Sequence, residues 1–387
     1  MKVRLMNKIS QEGLKRLPAD RYEVGEDMEH ADAIMVRSAS LHEMTFEPEL
    51  KCIARAGAGV NNIPLERCSE QGIVVFNTPG GNSNAVKELT IAGLLLASRK
   101  IVKGIEWVKT LEPEGIAKAV EKGKSQFAGP EIAGKKLGVI GLGAIGVQVA
   151  NAAAALGMDV YGYDPYISVR AAWTLKARIH HISELKTIFE ECDYITLHLP
   201  LMDSTRGMLN AEAFAQMKDH VRIVNFARDA LVNEDALAAA ITQGKVAAYV
   251  TDFASPKLVG LDQVIITPHL GASTPESEDN CARMAANEIR DYLEWGNIRN
   301  SVNMPEVVLS PSAHNRICII NRNVPNMVAK IASKLGECGI NIENMANKAR
   351  GNHAYTIVET NDTIDAAAIE EIRCSEGIIR VRVIHFA

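Results

Sequence analysis

At 387 residues, with 47% apolar and 23% charged side chains, the chain is long enough for two or three domains and balanced like a folded protein. A formal net charge of -5 argues against a nucleic-acid surface built on a general positive field, so an anionic ligand must be held by a few placed cations. The most apolar helical stretch, 91–98, is far shorter than the ~20 residues of a membrane span and Met1 opens no apolar leader, which predicts a cytoplasmic protein with no membrane partner.

Short apolar runs at 2–6, 32–37, 52–56 and 73–77 read as strands. A second series follows at 136–141, 159–163, 194–199, 222–226, 247–252 and 264–267. Helical stretches separate them, so the expected class is α/β with two doubly wound parallel sheets. A helix from about Asn84 carries the chain between the two series. A Ser-x-x-Glu capping box from Ser273 to Glu276, with Pro275 early in the turn, starts a helix that runs to Trp295 and stops at Gly296. Asn, Ser and Pro then mark 297–314 as a linker. The remainder reads strand 317–321, helix 325–336, strands 340–348 and 354–360, helix 364–374, strand 379–384. That βαββαβ order predicts a ferredoxin-like C-terminal domain. Cys52, Cys68, Cys192, Cys281, Cys318, Cys338 and Cys374 include no Cys-x-x-Cys pair; they are expected to be free, small core hydrophobes, and no metal site can be built from them.

Gly141, Gly143 and Gly146 form a Gly-x-Gly-x-x-Gly directly after the 136–141 strand and at the head of an alanine-rich helix. The first glycine permits the tight turn, the second lets a pyrophosphate approach the backbone, and the third lets helix and strand pack closely. Free N–H groups at the helix start suit phosphate. The next strand ends near Asp164, whose carboxylate can bind ribose hydroxyls and would repel a 2′-phosphate, favouring NAD over NADP. Three further stretches end strands of the same series: Asn225 to Arg228, Tyr249 to Phe253, and Thr267 to Thr274. His269 is suited to taking and returning a proton near neutrality, and Arg228 offers a planar, permanently charged fork for a carboxylate.

Together with Gly57-Ala58-Gly59-Val60-Asn61 and Asn77-Thr78-Pro79, these motifs resemble the D-isomer-specific 2-hydroxyacid dehydrogenases over roughly residues 30–300. The resemblance implies a flavodoxin-like substrate domain (1–90 with 271–300, made discontinuous by the returning helix) and a Rossmann NAD domain (91–270). It implies cofactor contacts for Thr78, Ala144, Ile145, Asp164, Ala227, Arg228, Asp252, His269 and Gly271. Arg37, Ser38, Gly57, Ala58, Gly59, Val60 and Asn82 would line the substrate side. Arg37 and Arg55 are the candidates for a substrate phosphate, with Lys124 behind them. The family's usual Glu partner of the catalytic His is missing near Ser255, leaving Asp252 as a weak substitute and predicting a less basic imidazole. Asp229 stands where the family prefers Gly.

After a linker at 301–314, residues 315–387 resemble an ACT domain, a module that binds amino acids. Asn323 and Asn341 are the candidate effector contacts, serine the expected effector, and Asn326 replaces the usual Gly. A dimerisation domain without ligand is the plainer alternative. Such a tail favours 3-phospho-D-glycerate as substrate, oxidised to 3-phosphohydroxypyruvate with NAD in the first step of serine biosynthesis. The alternatives are a hydroxypyruvate or glyoxylate reductase and, more distantly, an NAD-sensing corepressor. Relatives pair through both cofactor and ACT domains, so a homodimer or homotetramer is expected.

Overall fold

The alternation of buried strands and helices folds, in a computed structural model describing residues 1–176 and 178–386, into two units. One is Met1–Asn82 with Pro275 to the C-terminus; the other is Ser83–Thr274.

The first unit holds β1 (Lys2–Leu5), β2 (Glu23–Gly25), β3 (Ala33–Val36), β4 (Cys52–Arg55) and β5 (Val74–Phe76), parallel in the order β2-β1-β3-β4-β5. The second unit holds β6 (Lys136–Ile140), β7 (Asp159–Tyr163), β8 (Ile179–His181), β9 (Tyr194–Leu197), β10 (Val221–Asn225), β11 (Val246–Thr251) and β12 (Val264–Ile266). They run parallel in the order β12-β11-β10-β9-β6-β7-β8. The order reverses between β6 and β9. At such a switch point the loops beyond the carboxyl ends diverge and leave a crevice for ligand.

The C-terminal segment supplies β13 (Asn315–Arg322), β14 (Asn344–Arg350), β15 (His353–Thr360) and β16 (Ile378–His385), antiparallel in the order β14-β15-β13-β16. Period-two alternation gives this sheet two apolar faces. Ile317, Ile319, Val358 and Val381 meet the helices Met327–Glu337 and Ala366–Arg373. Cys318, Ile320, Tyr355 and Ile357 join one core with Ala282, Ile289 and Tyr292 of the Pro275–Trp295 helix. Carbonyls at the end of a helix run short of intrahelical donors, and here the sheet adds donors to them. Arg382 Nη2 donates to Tyr292 O and Leu293 O (3.2 and 2.9 Å), Arg316 Nη1 to Trp295 O, and the Tyr355 hydroxyl to Gly296 O at 2.6 Å.

Several expectations are corrected. The stretch expected as a linker is packed: Met304 and Val307 are buried, and Phe76 bridges to Ser301. Five cysteines are core residues as expected, but Cys338 is half-buried and Cys374 exposed. The long helix begins at Pro275, and the Ser273 hydroxyl donates back to His269 O rather than capping it. β2 and β8 were not foreseen, nor were the helices Ile101–Lys109 and Ile116–Gly123. No helix among the described residues is long and apolar enough to cross a membrane.

Candidate active site

The glycine motif sits at the switch point, between β6 and the Gly146–Ala155 helix. Gly141 has φ +93°, and a Cβ there would lie 2.6 Å from His198 O. At Gly146 a Cβ would fall 1.8 Å from Gly141 O, so no side chain fits. Gly143 differs: a Cβ would meet nothing within 4 Å. The protein itself does not require glycine there, and the open space before a helix N-terminus fits an approaching pyrophosphate. Ala144 is exposed and Ile145 half-buried beside it. Asp164 accepts from Leu142 N and Tyr166 N, both at 2.9 Å, which fixes the carboxylate at the end of β7, next to the glycine turn. These features fit an adenine dinucleotide.

Arg228, His269 and Asp252 all follow the carboxyl ends of neighbouring strands, β10, β12 and β11. Asn225, fully buried, braces the first loop. Its Oδ1 accepts from Ala227 N at 3.1 Å and its Nδ2 donates to Arg228 O at 2.8 Å. Arg228 is exposed, and Nη1 donates only to Ala227 O at 2.6 Å; among the described residues no carboxylate pairs with it. The neighbouring Asp229 accepts from Ala230 N at 2.7 Å. The fork is therefore available to an incoming carboxylate.

His269 has φ +53°, a left-handed backbone that costs a non-glycine residue of order 1 kcal/mol and clusters at functional sites. Its N–H is held by Asp252 O and Thr267 O (3.2 and 3.0 Å), and Phe253 packs edge-on to its exposed ring, centroids 5.4 Å apart. Its imidazole has no hydrogen-bond partner among the described residues. Asp252 is buried; Oδ2 accepts from Gly271 N at 3.1 Å, and Oδ1 has no partner. Burial raises its pKa, opposed by the Gly271 N–H and by the charges of His269 and Arg228. The hydrogen bonds from His269 N to Asp252 O and from Gly271 N to Asp252 Oδ2 join the loops that follow β12 and β11, and the loop bearing Arg228 follows the neighbouring strand β10. Asp252 is not hydrogen-bonded to the imidazole, so the substitute partner anticipated for His269 is not formed by side-chain contact.

Three residues were missed. Thr267 and Ser255 each bury a hydroxyl oxygen with no partner at the same strand ends. Ser255 occupies the place where a Glu was expected. His198 follows β9, packs against Gly141 and Gly146, and meets Thr196 Oγ1 at 3.1 Å; burial pushes its pKa down to about 3, so it is neutral at working pH. A His at a strand end beside a glycine loop was the available signal.

In the first unit, Asn7 Oδ1 accepts from the N–H groups of Arg37, Ser38 and Ala39 (3.3, 3.0 and 2.8 Å). Arg37 Nη2 pairs with Glu278 Oε1 at 2.7 Å, and Arg55 Nε donates to Arg37 O at 3.0 Å. Gly57 lies against Arg55, a Cβ there falling 2.2 Å from Nη1, and Ala58 O accepts from Asn77 Nδ2. Gly59 and Val60 are half-buried. Thr78 Oγ1 and Asn82 Oδ1 are buried without partners. Lys124 instead pairs with Glu121 on an exposed helical excursion. Asn323 is tied to Gly351 and Asn341 to Glu343 and Asp362. The ladder of β13 on β15 runs from Arg322↔His353 to Asn315↔Thr360, so the two asparagines stand at opposite ends of the sheet and do not meet within one chain.

Residues 91–271 match the D-isomer specific 2-hydroxyacid dehydrogenase, NAD binding domain. The chain is 39% identical over 294 residues to a D-3-phosphoglycerate dehydrogenase of Methanocaldococcus jannaschii, covering 74% of this chain and 54% of that one. The rat D-3-phosphoglycerate dehydrogenase is 35% identical over 302 residues, covering 75% and 54%. The chain thus spans about half the length of these curated relatives. Among solved structures, NAD+-bound 3-phosphoglycerate dehydrogenase of Entamoeba histolytica superposes with TM-score 0.61 at 27% identity, covering 78% of this chain and 98% of that one. A glyoxylate reductase of Paecilomyes thermophila gives 0.64 at 25% identity, covering 78% and 98%.

Proposed function

We propose that the chain, whose residues 91–271 match the NAD binding domain of the D-isomer specific 2-hydroxyacid dehydrogenases, oxidises 3-phospho-D-glycerate to 3-phosphohydroxypyruvate with NAD, opening serine biosynthesis. The observation that carries the reading is that Arg228, His269 and buried Asp252 follow the carboxyl ends of the adjacent strands β10, β12 and β11, in the unit that holds the glycine turn. When bound, NAD accepts the hydride from C2. His269 takes the hydroxyl proton as general base, and in the reverse direction returns it to the carbonyl oxygen. Arg228 grips the substrate carboxylate with two parallel N–H bonds and orients C2. The buried oxygens of Asp252 and Thr267 are left for polar groups that arrive with the ligands. Arg37 and Arg55 are proposed for the substrate's phosphate from the chemistry of their own unit.

The relatives' names favour phosphoglycerate. A second reading, a glyoxylate or hydroxypyruvate reductase, is favoured by one observation: Arg37 is already paired with Glu278. We further propose that the tail is an ACT module responding to serine. It supports this that β14 is a sheet edge, since two-fold pairing along that edge would bring the Asn323 end of one copy to the Asn341 end of the other. The exposed apolar residues Ile101, Ile105, Val108 and Ile116 fit a second contact between copies. NADH formation with 3-phospho-D-glycerate, D-glycerate and D-2-hydroxyglutarate, with and without serine, tests the reading. The phosphorylated acid is expected to have the highest kcat/KM; a higher value for either other acid overturns it.

A further inference from the structure

Glu278 has no part in the reaction proposed above, yet it occupies the guanidinium assigned there to the substrate's phosphate. Arg37 is well fixed. Three successive backbone N–H groups, of Arg37, Ser38 and Ala39, converge on Asn7 Oδ1, which sets the direction in which the side chain leaves the end of β3. Arg55 is braced on the Arg37 carbonyl and lies over Gly57, so the two arginines stand side by side at the ends of the neighbouring strands β3 and β4. Glu278, in the first turn of the Pro275–Trp295 helix, places a carboxylate oxygen 2.7 Å from Arg37 Nη2. An acid in a first turn is itself favoured by the helix dipole, so the charge of Glu278 is stabilised at this position apart from Arg37.

We propose that Glu278 is an internal counter-ion that competes with the substrate's phosphate for Arg37 and thereby sets how strongly the protein discriminates phosphorylated from unphosphorylated 2-hydroxy acids. The proposal rests on the reading of Arg37 as the phosphate cation. Both partners are about two-fifths exposed, 39% and 42%. An ion pair so open to solvent is weak, so parting it costs only a few-fold in affinity. A phosphate dianion, with a charge near -1.5 to -2 and three acceptor oxygens, displaces a single carboxylate from a guanidinium. A second carboxylate gains nothing over Glu278, which already fills that place. An unphosphorylated acid carries no phosphate with which to contest Arg37. The competition therefore falls on phosphorylated ligands alone.

The test is Glu278→Gln in the full-length protein, since the amide keeps the size and removes the charge. Steady-state kinetics at fixed ionic strength are read for 3-phospho-D-glycerate and D-glycerate, together with inhibition by inorganic phosphate. The variant is expected to lower KM for the phosphorylated acid about 3- to 10-fold, to lower the Ki of phosphate by a similar factor, and to raise the ratio of the two kcat/KM values accordingly. In an Arg37→Gln background the same substitution is expected to change nothing, because the contested cation is gone. A KM for the phosphorylated acid that rises or stays the same overturns the proposal. So does an equal fall for both acids, or a gain that persists without Arg37. If only unphosphorylated acids are turned over, the substrate reading fails, while the phosphate Ki still decides the role of Glu278. Indifference of both forms to phosphate counts against it.

Discussion

Replacing Arg316 with Met should destabilise the protein more than any substitution at the catalytic cluster. Both Arg316 and Glu359 are fully buried, and Nη2 meets Glu359 Oε1 at 2.5 Å, with Nε 3.2 Å from the same oxygen. The guanidinium also donates to Leu309 O at 2.9 Å and to Trp295 O. Taking it away leaves the Glu359 carboxylate in the core with, among the described residues, only Ser312 to donate to it. Breaking a buried pair from one side costs about 3–5 kcal/mol, because a charge is left without compensation. Two carbonyls that lose a donor bring the expected value to the upper part of that range. Removing both charges, as Arg316→Met with Glu359→Leu, should recover most of the loss, since an apolar pair of similar volume avoids desolvating either ion. Equilibrium unfolding in urea, monitored by circular dichroism, reads both variants. A single variant within about 1 kcal/mol of the parent protein would refute the reasoning, as would a double variant no more stable than the single.

Gly146→Ala should fail to fold or bind, since its Cβ meets Gly141 O, whereas Gly143→Ala should fold normally and weaken NADH at least about tenfold by fluorescence titration. Burial raises the pKa of Glu288 to about 8, with only Asn300 holding it down. Its folded pKa lies above the unfolded value, so the neutral form stabilises the protein fully below about pH 4.5 and the contribution is lost as pH rises towards 8. Glu288→Gln should therefore flatten the fall in Tm between those limits; an unchanged slope speaks against a buried neutral carboxyl. Ile105→Asp should shift the molar mass seen by light scattering towards the monomer, because Ile105 is 53% exposed within an apolar patch.

Much of the fold was legible because buried parallel strands read as continuous apolar runs. Ala33–Val36 and Tyr194–Leu197 are buried at every position and were easy to find. Glu23–Gly25 and Ile179–His181 are edge strands, largely uncovered, with no apolar pattern to betray them. The Asn- and Pro-rich stretch before β13 carried loop chemistry, yet Met304 and Val307 were enough to bury it. At the site, residue types announced the glycine turn, Arg228 and His269, because each chemistry admits few side chains. The orphaned hydroxyls of Ser255 and Thr267 were invisible, since a buried Ser or Thr looks like any other until its partners are known. The engagement of Arg37 by Glu278 joins residues 241 positions apart and has no local signature.

The claim on which the account turns is that Arg228 grips the acid while His269 moves its proton. Steady-state oxidation of 3-phospho-D-glycerate by Arg228→Lys and His269→Asn separates the two roles. Losing a general base should lower kcat about 10²- to 10⁴-fold with little change in KM. Losing the planar fork should raise KM at least about tenfold, because an ammonium cannot make the paired bonds. If both variants keep kcat/KM within about threefold of the parent protein, neither residue performs the chemistry assigned to it.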